Sequence, residues 1–220
     1  AWFRAMEDRP SYRALAGDFY THSHDLPPQV GGCQENGQNT DFRKAIDGES
    51  PAAGAAAWKL PLPTDGSASP LEPVGLLGGN GPEEAAAARR EAARQLLSRH
   101  QKVGRFCLRG KGSRGFPPVG AGPLSDPYAS PSDDADLAEA VDEALRGVVA
   151  HLLGGDGVPV AEAALGVLGP SAWKRSKDLS ECLGYLRDRV SVPRDMSFPA
   201  ARQLRAHLGS YMEAAETCAA

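Results

Sequence analysis

The fold is decided by the most regular pattern in the chain, residues 130–155, which read SPSDDADLAEAVDEALRGVVAHLLGG. Ser130-Pro131-Ser132-Asp133 has the spacing of an N-terminal capping box, with proline in the first turn. Apolar residues then recur every three or four positions, as on one face of an amphipathic helix: Leu137, Val141, Leu145, Val148 and Leu152. The pattern therefore predicts one long helix that ends at Gly154-Gly155.

Similar patterns on both sides of this segment predict further helices. A long one should begin near Pro82 and bury a stripe from Ala85 to Cys107, with weakening at Gly104 and fraying beyond His100. Others are expected at about 160–168, at about 176–190 and from Ser197 onward, and no sustained alternating strand pattern occurs. The sequence predicts an all-α fold, a small irregular helical bundle with long Pro/Gly-rich loops.

The beginning of the sequence has a different organisation. Trp2, Phe3 and Met6 share one face of a helical turn that Pro10 should end. We therefore expect residues 1–13 to be the last helix of a domain whose earlier part lies upstream. Residues 14–58 are expected to form an extended loop with a short helix at 41–47, residues 59–82 a linker, and residues 83–216 a helical C-terminal extension.

Composition limits the classes of partner. The 220 residues are 41% hydrophobic but only 6% aromatic, with 25 Gly and 18 Pro, which favours a modest core and long loops. A net charge of −4 argues against a nucleic-acid partner. Basic clusters at 89–94 and 111–114 are interpreted as solvated surface. No apolar run approaches the roughly 20 residues of a membrane span, so no membrane partner is expected.

One constellation has the residue types of a metal site. In an extended segment His22 and His24 would point the same way, and Cys33 follows after Pro27-Pro28. The spacing is incomplete for zinc, so the favoured interpretation has no metal: an ordered loop whose histidines hydrogen-bond into a neighbouring domain. A metal-dependent activity at His22 and His24 is the weaker alternative.

The cysteines are widely separated, which favours free thiols in a reducing, intracellular compartment. Cys33 is the better candidate for a reactive thiol, because Cys182 falls on an apolar helix face. The glycine-rich stretch 75–81 lacks the Lys-Ser/Thr of a phosphate-binding loop and is interpreted as linker. His100, His151 and His207 occur singly on predicted helices, as surface or core-edge residues do.

Charge is concentrated around the break at Val192-Pro193. Two interpretations are open: an anion or partner site built from guanidinium groups, or ion pairs of Asp188 or Asp195 that fix the turn between two helices. The second is favoured, since Asp195 lies between a break and a helix start, where aspartate commonly caps. The residues concerned are Arg187, Asp188, Arg189, Arg194, Asp195, Arg202 and Arg205.

Three segments resemble known sequences. Trp2-Phe3-x-x-Met6-Glu7-x-Arg9-Pro10-x-Tyr12 resembles the closing helix of glutathione S-transferases. Residues 18–33, DFYTHSHDLPPQVGGC, and residues 185–208, which include YLRDRVSVPRDM, resemble a glutathione S-transferase-like family of plants, algae and cyanobacteria. Together these segments cover about a quarter of the chain.

The resemblance implies a C-terminal fragment of a glutathione S-transferase-like protein, with a thioredoxin-like, glutathione-binding domain upstream. Glutathione would be a substrate of the parent protein, and catalytic and glutathione-binding residues are expected outside these 220 residues. The segment alone is expected to be inactive, and its partners to be the upstream domain and another copy in a homo-oligomer. The alternative is a non-catalytic helical interaction module that docks on a partner or on the upstream domain. The protein is expected to be soluble and intracellular, and the sequence does not distinguish plastid from cytoplasm.

Overall fold

The computed structural model describes residues 2–7, 9–13, 15, 60–62, 81–113, 129–154, 164, 166 and 168–219. Their only β-type pairing is an isolated bridge between Ser113 and Ser130. The prediction of an all-α fold is confirmed. The helices are α1 (Trp2–Glu7), α2 (Pro10–Arg13), α3 (Pro82–Ser98), α4 (His100–Cys107), a 3-10 turn (Leu108–Lys111), α5 (Ala135–Gly154), α6 (Pro170–Lys174), α7 (Ser176–Arg187) and α8 (Phe198–Ala219).

The central helix α5 lies where the sequence predicted it, but its cap is displaced. Asp134 is the capping residue, because its Oδ1 accepts a hydrogen bond from the Leu137 N–H at 3.0 Å. Ser132 supports this turn from outside the helix, accepting from the Asp134 N–H at 3.3 Å. The capping-box prediction was therefore wrong about which residue caps, since Asp134, four positions after Ser130, accepts from a first-turn amide of the helix.

The predicted long helix after Pro82 is two helices. Arg99 breaks it with φ −132° and ψ 21°, whereas Gly104 lies inside α4 without interrupting it. Cys107 is fully buried and Val103 is partly buried against the core, but His100 is exposed. The predicted stripe therefore holds on both sides of the break and fails at His100, where the chain changes direction.

The helices α3, α5, α7 and α8 enclose the core. Ala-rich α3 buries Ala92 and Ala93, and small side chains let helix axes approach closely. The most extensive packing joins α7 to α8, where a Cβ on Gly184 would lie 3.2 Å from the Met212 side chain. Of the residues predicted to face inward on α8, Ala201, Leu204 and Leu208 are buried and Met212 is partly buried.

The remaining predicted boundaries have mixed outcomes. The helix α7 ends at Arg187, three residues before the predicted Val190, and α6 was not predicted. Pro10 was predicted to end the first helix. That helix, α1, ends at Glu7, and Pro10 is the first residue of the second short helix, α2. Within the helix predicted at 160–168, the described residues include a hydrogen bond from the Leu168 N–H to the Ala164 carbonyl at 3.0 Å. The short helix at 41–47 lies outside the described residues, and the domain boundaries stay predictions.

Candidate interaction surface

The segment from Arg89 to Lys111, which contains the C-terminal part of α3, all of α4 and the 3-10 turn, has a strongly unbalanced charge. It contains eight basic residues and a single acidic one, Glu91. Five of the cations are exposed to solvent, and we call them the basic strip: Arg90, Arg94, Arg99, Lys102 and Arg105. Leu97, on the same outer side of α3, is 54% exposed.

The one carboxylate in this segment does not neutralise the strip. Glu91 Oε1 accepts a hydrogen bond from the Ser197 N–H at 2.8 Å, and Oε2 accepts from the Ser197 hydroxyl at 2.6 Å. Ser197 immediately precedes α8, whose first amides lack partners within the helix. Glu91 therefore joins α3 to the start of α8, at the end where the helix dipole favours a negative charge.

The cations of the basic strip form no ion pair with any residue that the structure describes. Arg90 and Arg94 are one helical turn apart, a spacing at which like charges repel and cost an isolated helix about 0.2–0.5 kcal/mol. The strip therefore adds nothing evident to the stability of the fold.

Some other cations of the described surface are paired. Lys111 Nζ lies 3.0 Å from Asp178 and 3.1 Å from Glu181, and these carboxylates raise the pKa of Lys111. Arg175 pairs with Asp134 and Asp178. These pairs join the 3-10 turn and the start of α5 to α7, so their role is in the fold.

In the segment between α7 and α8, the charged side chains bond to neighbouring residues, as the ion-pair interpretation predicts. Asp195 Oδ2 accepts from the Ser191 N–H at 2.9 Å and from Arg194 Nη2 at 3.0 Å. Arg187 pairs with Asp188 at 2.9 Å, and the buried Arg205 donates to the Val190 carbonyl at 2.7 Å. The turn is therefore held by its own charged side chains, as the favoured sequence interpretation requires.

Two aromatic rings join α4 to α7 beside the strip. Phe106 and Tyr185 meet edge to face with centroids 5.1 Å apart. The guanidinium of Arg109 lies 5.4 Å from the Phe106 centroid, and that of Arg189 lies 3.5 Å from the Tyr185 centroid. Both rings thus already have a cation on them, an arrangement that stabilises the contact between helices.

Buried cysteine and histidine side chains are structural in this environment. Burial raises the pKa of the Cys182 thiol to about 12, and it raises the pKa of Cys107 as well. Raised pKa values suppress the thiolate that a nucleophilic cysteine requires. His151 Nδ1 lies 2.8 Å from the hydroxyl of buried Tyr211, and burial lowers the His151 pKa. His207 Nδ1 lies 2.7 Å from the Gln203 carbonyl in the core.

The candidate metal and thiol residues His22, His24 and Cys33 lie outside the described residues, as does the glycine-rich stretch 75–81. Within the described ranges no group of three or more His, Cys, Asp or Glu side chains is placed to hold a metal ion. No helix of the described part is both long and apolar enough to cross a membrane.

Comparison with family models and with curated proteins assigns no family to this chain. No family model matches the chain, and no curated protein matches it significantly.

Proposed function

We propose that the helical body formed by α3 to α8 is a non-catalytic interaction module that binds an acidic protein surface through the basic strip. The observation that carries this proposal is that five exposed cations lie on the consecutive helices α3 and α4 and form no ion pair with a described residue. Elsewhere on the helical body, Arg146 of α5 and Arg187 of α7 are paired, and the exposed lysines Lys174 and Lys177 have no ion pair with a described residue but are only two. A complementary surface would relieve the repulsion along the strip and steer association over several ångströms.

The polar interior supports the same conclusion. Buried Arg205 and His207 bond to main-chain carbonyls, and the buried Tyr211 hydroxyl bonds to His151. Cys107 and Cys182 are buried and have raised pKa values. These groups serve packing and orientation of α8, and the groups available to a partner are on the surface.

A fluorescently labelled poly-glutamate peptide tests the proposal with a defined probe. We expect the wild-type chain to bind it and the Arg90→Glu/Arg94→Glu variant to bind at least about tenfold more weakly. The matched control is Lys174→Glu/Lys177→Glu, which makes the same change in net charge with exposed lysines of α6 and α7. Equal loss in both variants, or no binding by wild type, would show that the strip is not a docking surface.

We also propose that this module belongs to a glutathione S-transferase-like, intracellular protein of a photosynthetic lineage, with the glutathione-binding domain as a partner within the same protein. The resemblance of residues 1–12, 18–33 and 185–208 supports it. The upstream reading frame decides this proposal: it should encode a thioredoxin-like domain with a Ser, Cys or Tyr that activates glutathione, and its lack would end the transferase interpretation.

A further inference from the structure

We propose that the acidic surface bound by the basic strip is the start of α5 in a second copy of this chain, so that the module forms a reciprocal, salt-sensitive dimer. This inference rests on the proposed function and names its partner. Three arguments carry it: an exposed acidic patch, its position on a helix that packs against the helices of the strip, and the distribution of charge along the chain.

The acidic patch consists of Asp133, Asp136 and Glu139, all exposed at the start of α5. Asp133 and Asp136 form no ion pair with any side chain in the described part of the chain. Among the described residues, Glu139 makes one long hydrogen bond, which its Oε2 accepts from the Ser171 hydroxyl at 3.4 Å. The patch thus offers negative charge to a neighbour, as the strip offers positive charge.

The patch and the strip lie on adjoining elements. The helices α3 and α4 both pack against α5. The Ser132 N–H, next to Asp133, donates to the carbonyl of Leu108 at 3.0 Å, directly after α4. The elements that carry the positive and negative surfaces therefore pack against each other within one chain, and no ion pair joins the strip to the patch.

This adjacency suits a two-fold axis. In a symmetric dimer each contact occurs twice, so the strip of one chain can face the patch of its partner while the partner's strip faces the patch of the first. Leu97, exposed between the cations of α3 and α4, would supply apolar area to such an interface. A self-complementary surface of this kind needs both charges within one interface, and the two surfaces lie on helices that pack against each other.

Other polyanions fit the pattern less well. The segment 89–111 is positive by seven charges in a chain of net charge −4, which leaves eleven excess negative charges elsewhere. A long nucleic acid or an anionic membrane would also face the excess negative charge of the rest of the chain, which repels it. Leu97 is also the one large apolar side chain exposed on described α3 and α4, too little for insertion into a bilayer.

Sedimentation equilibrium of the full chain tests the dimer. We expect association in about 0.1 M salt and loss of it in about 1 M salt, where the screening length falls from about 10 Å to about 3 Å. Arg90→Glu/Arg94→Glu and, separately, Asp133→Lys/Glu139→Lys should each weaken self-association at least about tenfold. The second pair avoids the capping Asp134 and the first-turn Asp136, so α5 keeps its start.

Mixing the two charge-reversed variants gives the decisive result. Each variant repels itself, but in the mixture the acidic strip of one faces the basic patch of the other, and the unchanged strip faces the unchanged patch. We expect the mixture to form heterodimers with affinity within about tenfold of wild type. Rescue by mixing is not expected from a variant that has simply unfolded.

Three results would overturn the inference. They are a monomeric wild type in about 0.1 M salt, a dimer indifferent to both reversals, and reversed variants that fail to rescue each other. If wild type stays monomeric but binds poly-glutamate through the strip, the second copy is wrong and the proposed function survives. Strip-dependent binding of a single-stranded oligonucleotide or of anionic vesicles, without self-association, would equally overturn the second copy.

Discussion

Two regions of this molecule each carry five basic residues: the segment from Arg187 to Arg205 and the basic strip of α3 and α4. In the first, arginines contact neighbouring carboxylates, main-chain carbonyls or the ring of Tyr185, and Arg205 is only 2% exposed. In the second, all five side chains are exposed and without an ion pair among the described residues. The same residue type thus holds the fold together in one place and lies exposed at the surface in the other.

The largest effect should come from Arg205→Ala, which creates a cavity beside α8 and removes the donor to the Val190 carbonyl. We expect about 3 kcal/mol of destabilisation, measured by urea unfolding. Arg94→Ala is the matched control on the strip and should cost less than about 0.5 kcal/mol. Equal costs at the two positions would erase the distinction between the regions.

A smaller effect is expected from Asp195→Ala, which removes an acceptor for the Ser191 N–H and the ion pair with Arg194. The free energy of unfolding should fall by about 1–2 kcal/mol. Thermal and urea denaturation measure it, with Arg194→Ala as the milder control. If stability is unchanged while poly-glutamate binding is lost, the segment is a binding site and the comparison is reversed.

Glu91→Ala tests the contact that joins the two regions. Loss of both hydrogen bonds to Ser197 should destabilise α8 at its start and cost about 1 kcal/mol in urea unfolding. The variant leaves all five strip cations in place, so binding of poly-glutamate should be retained or strengthened. Weaker binding with unchanged stability would mean that Glu91 belongs to the docking surface.

The sequence predicted helices well where apolar residues recur without interruption, as in α5 and α8. It failed where short-range polar bonds decide, because Asp134 displaces the expected capping box and Arg99 breaks the helix after Pro82. The basic clusters were visible in the sequence. What the sequence did not show is that Glu91, the one carboxylate among them, bonds to Ser197, 106 residues away, and so pairs with none of these cations. No local pattern contains such a contact.

The pH dependence of stability offers a smaller test of the interior. Burial lowers the pKa of His151 beside Tyr211, so the unfolded chain binds a proton more readily than the folded one. Stability should therefore fall as the pH drops through the ordinary histidine pKa of about 6.5. Comparison of wild type with His151→Gln by urea unfolding at several pH values isolates this contribution, and identical pH slopes would contradict it.

The smallest effect on stability should come from Arg90→Glu/Arg94→Glu. Exposed positions without partners tolerate substitution within about 0.5 kcal/mol, and removal of like-charge repulsion offsets part of any loss. Urea unfolding of this variant beside wild type measures the difference. A loss as large as that expected for Asp195→Ala would show that the strip stabilises the fold.

The most direct measurement is the affinity of poly-glutamate for the Arg90→Glu/Arg94→Glu variant under conditions in which urea unfolding shows it to be folded. An open docking surface predicts binding at least about tenfold weaker than wild type, with an unfolding midpoint close to that of wild type. Unchanged binding by the folded variant, or a fall in the midpoint that accompanies the loss of binding, would contradict the division between a structural arginine segment and a docking strip.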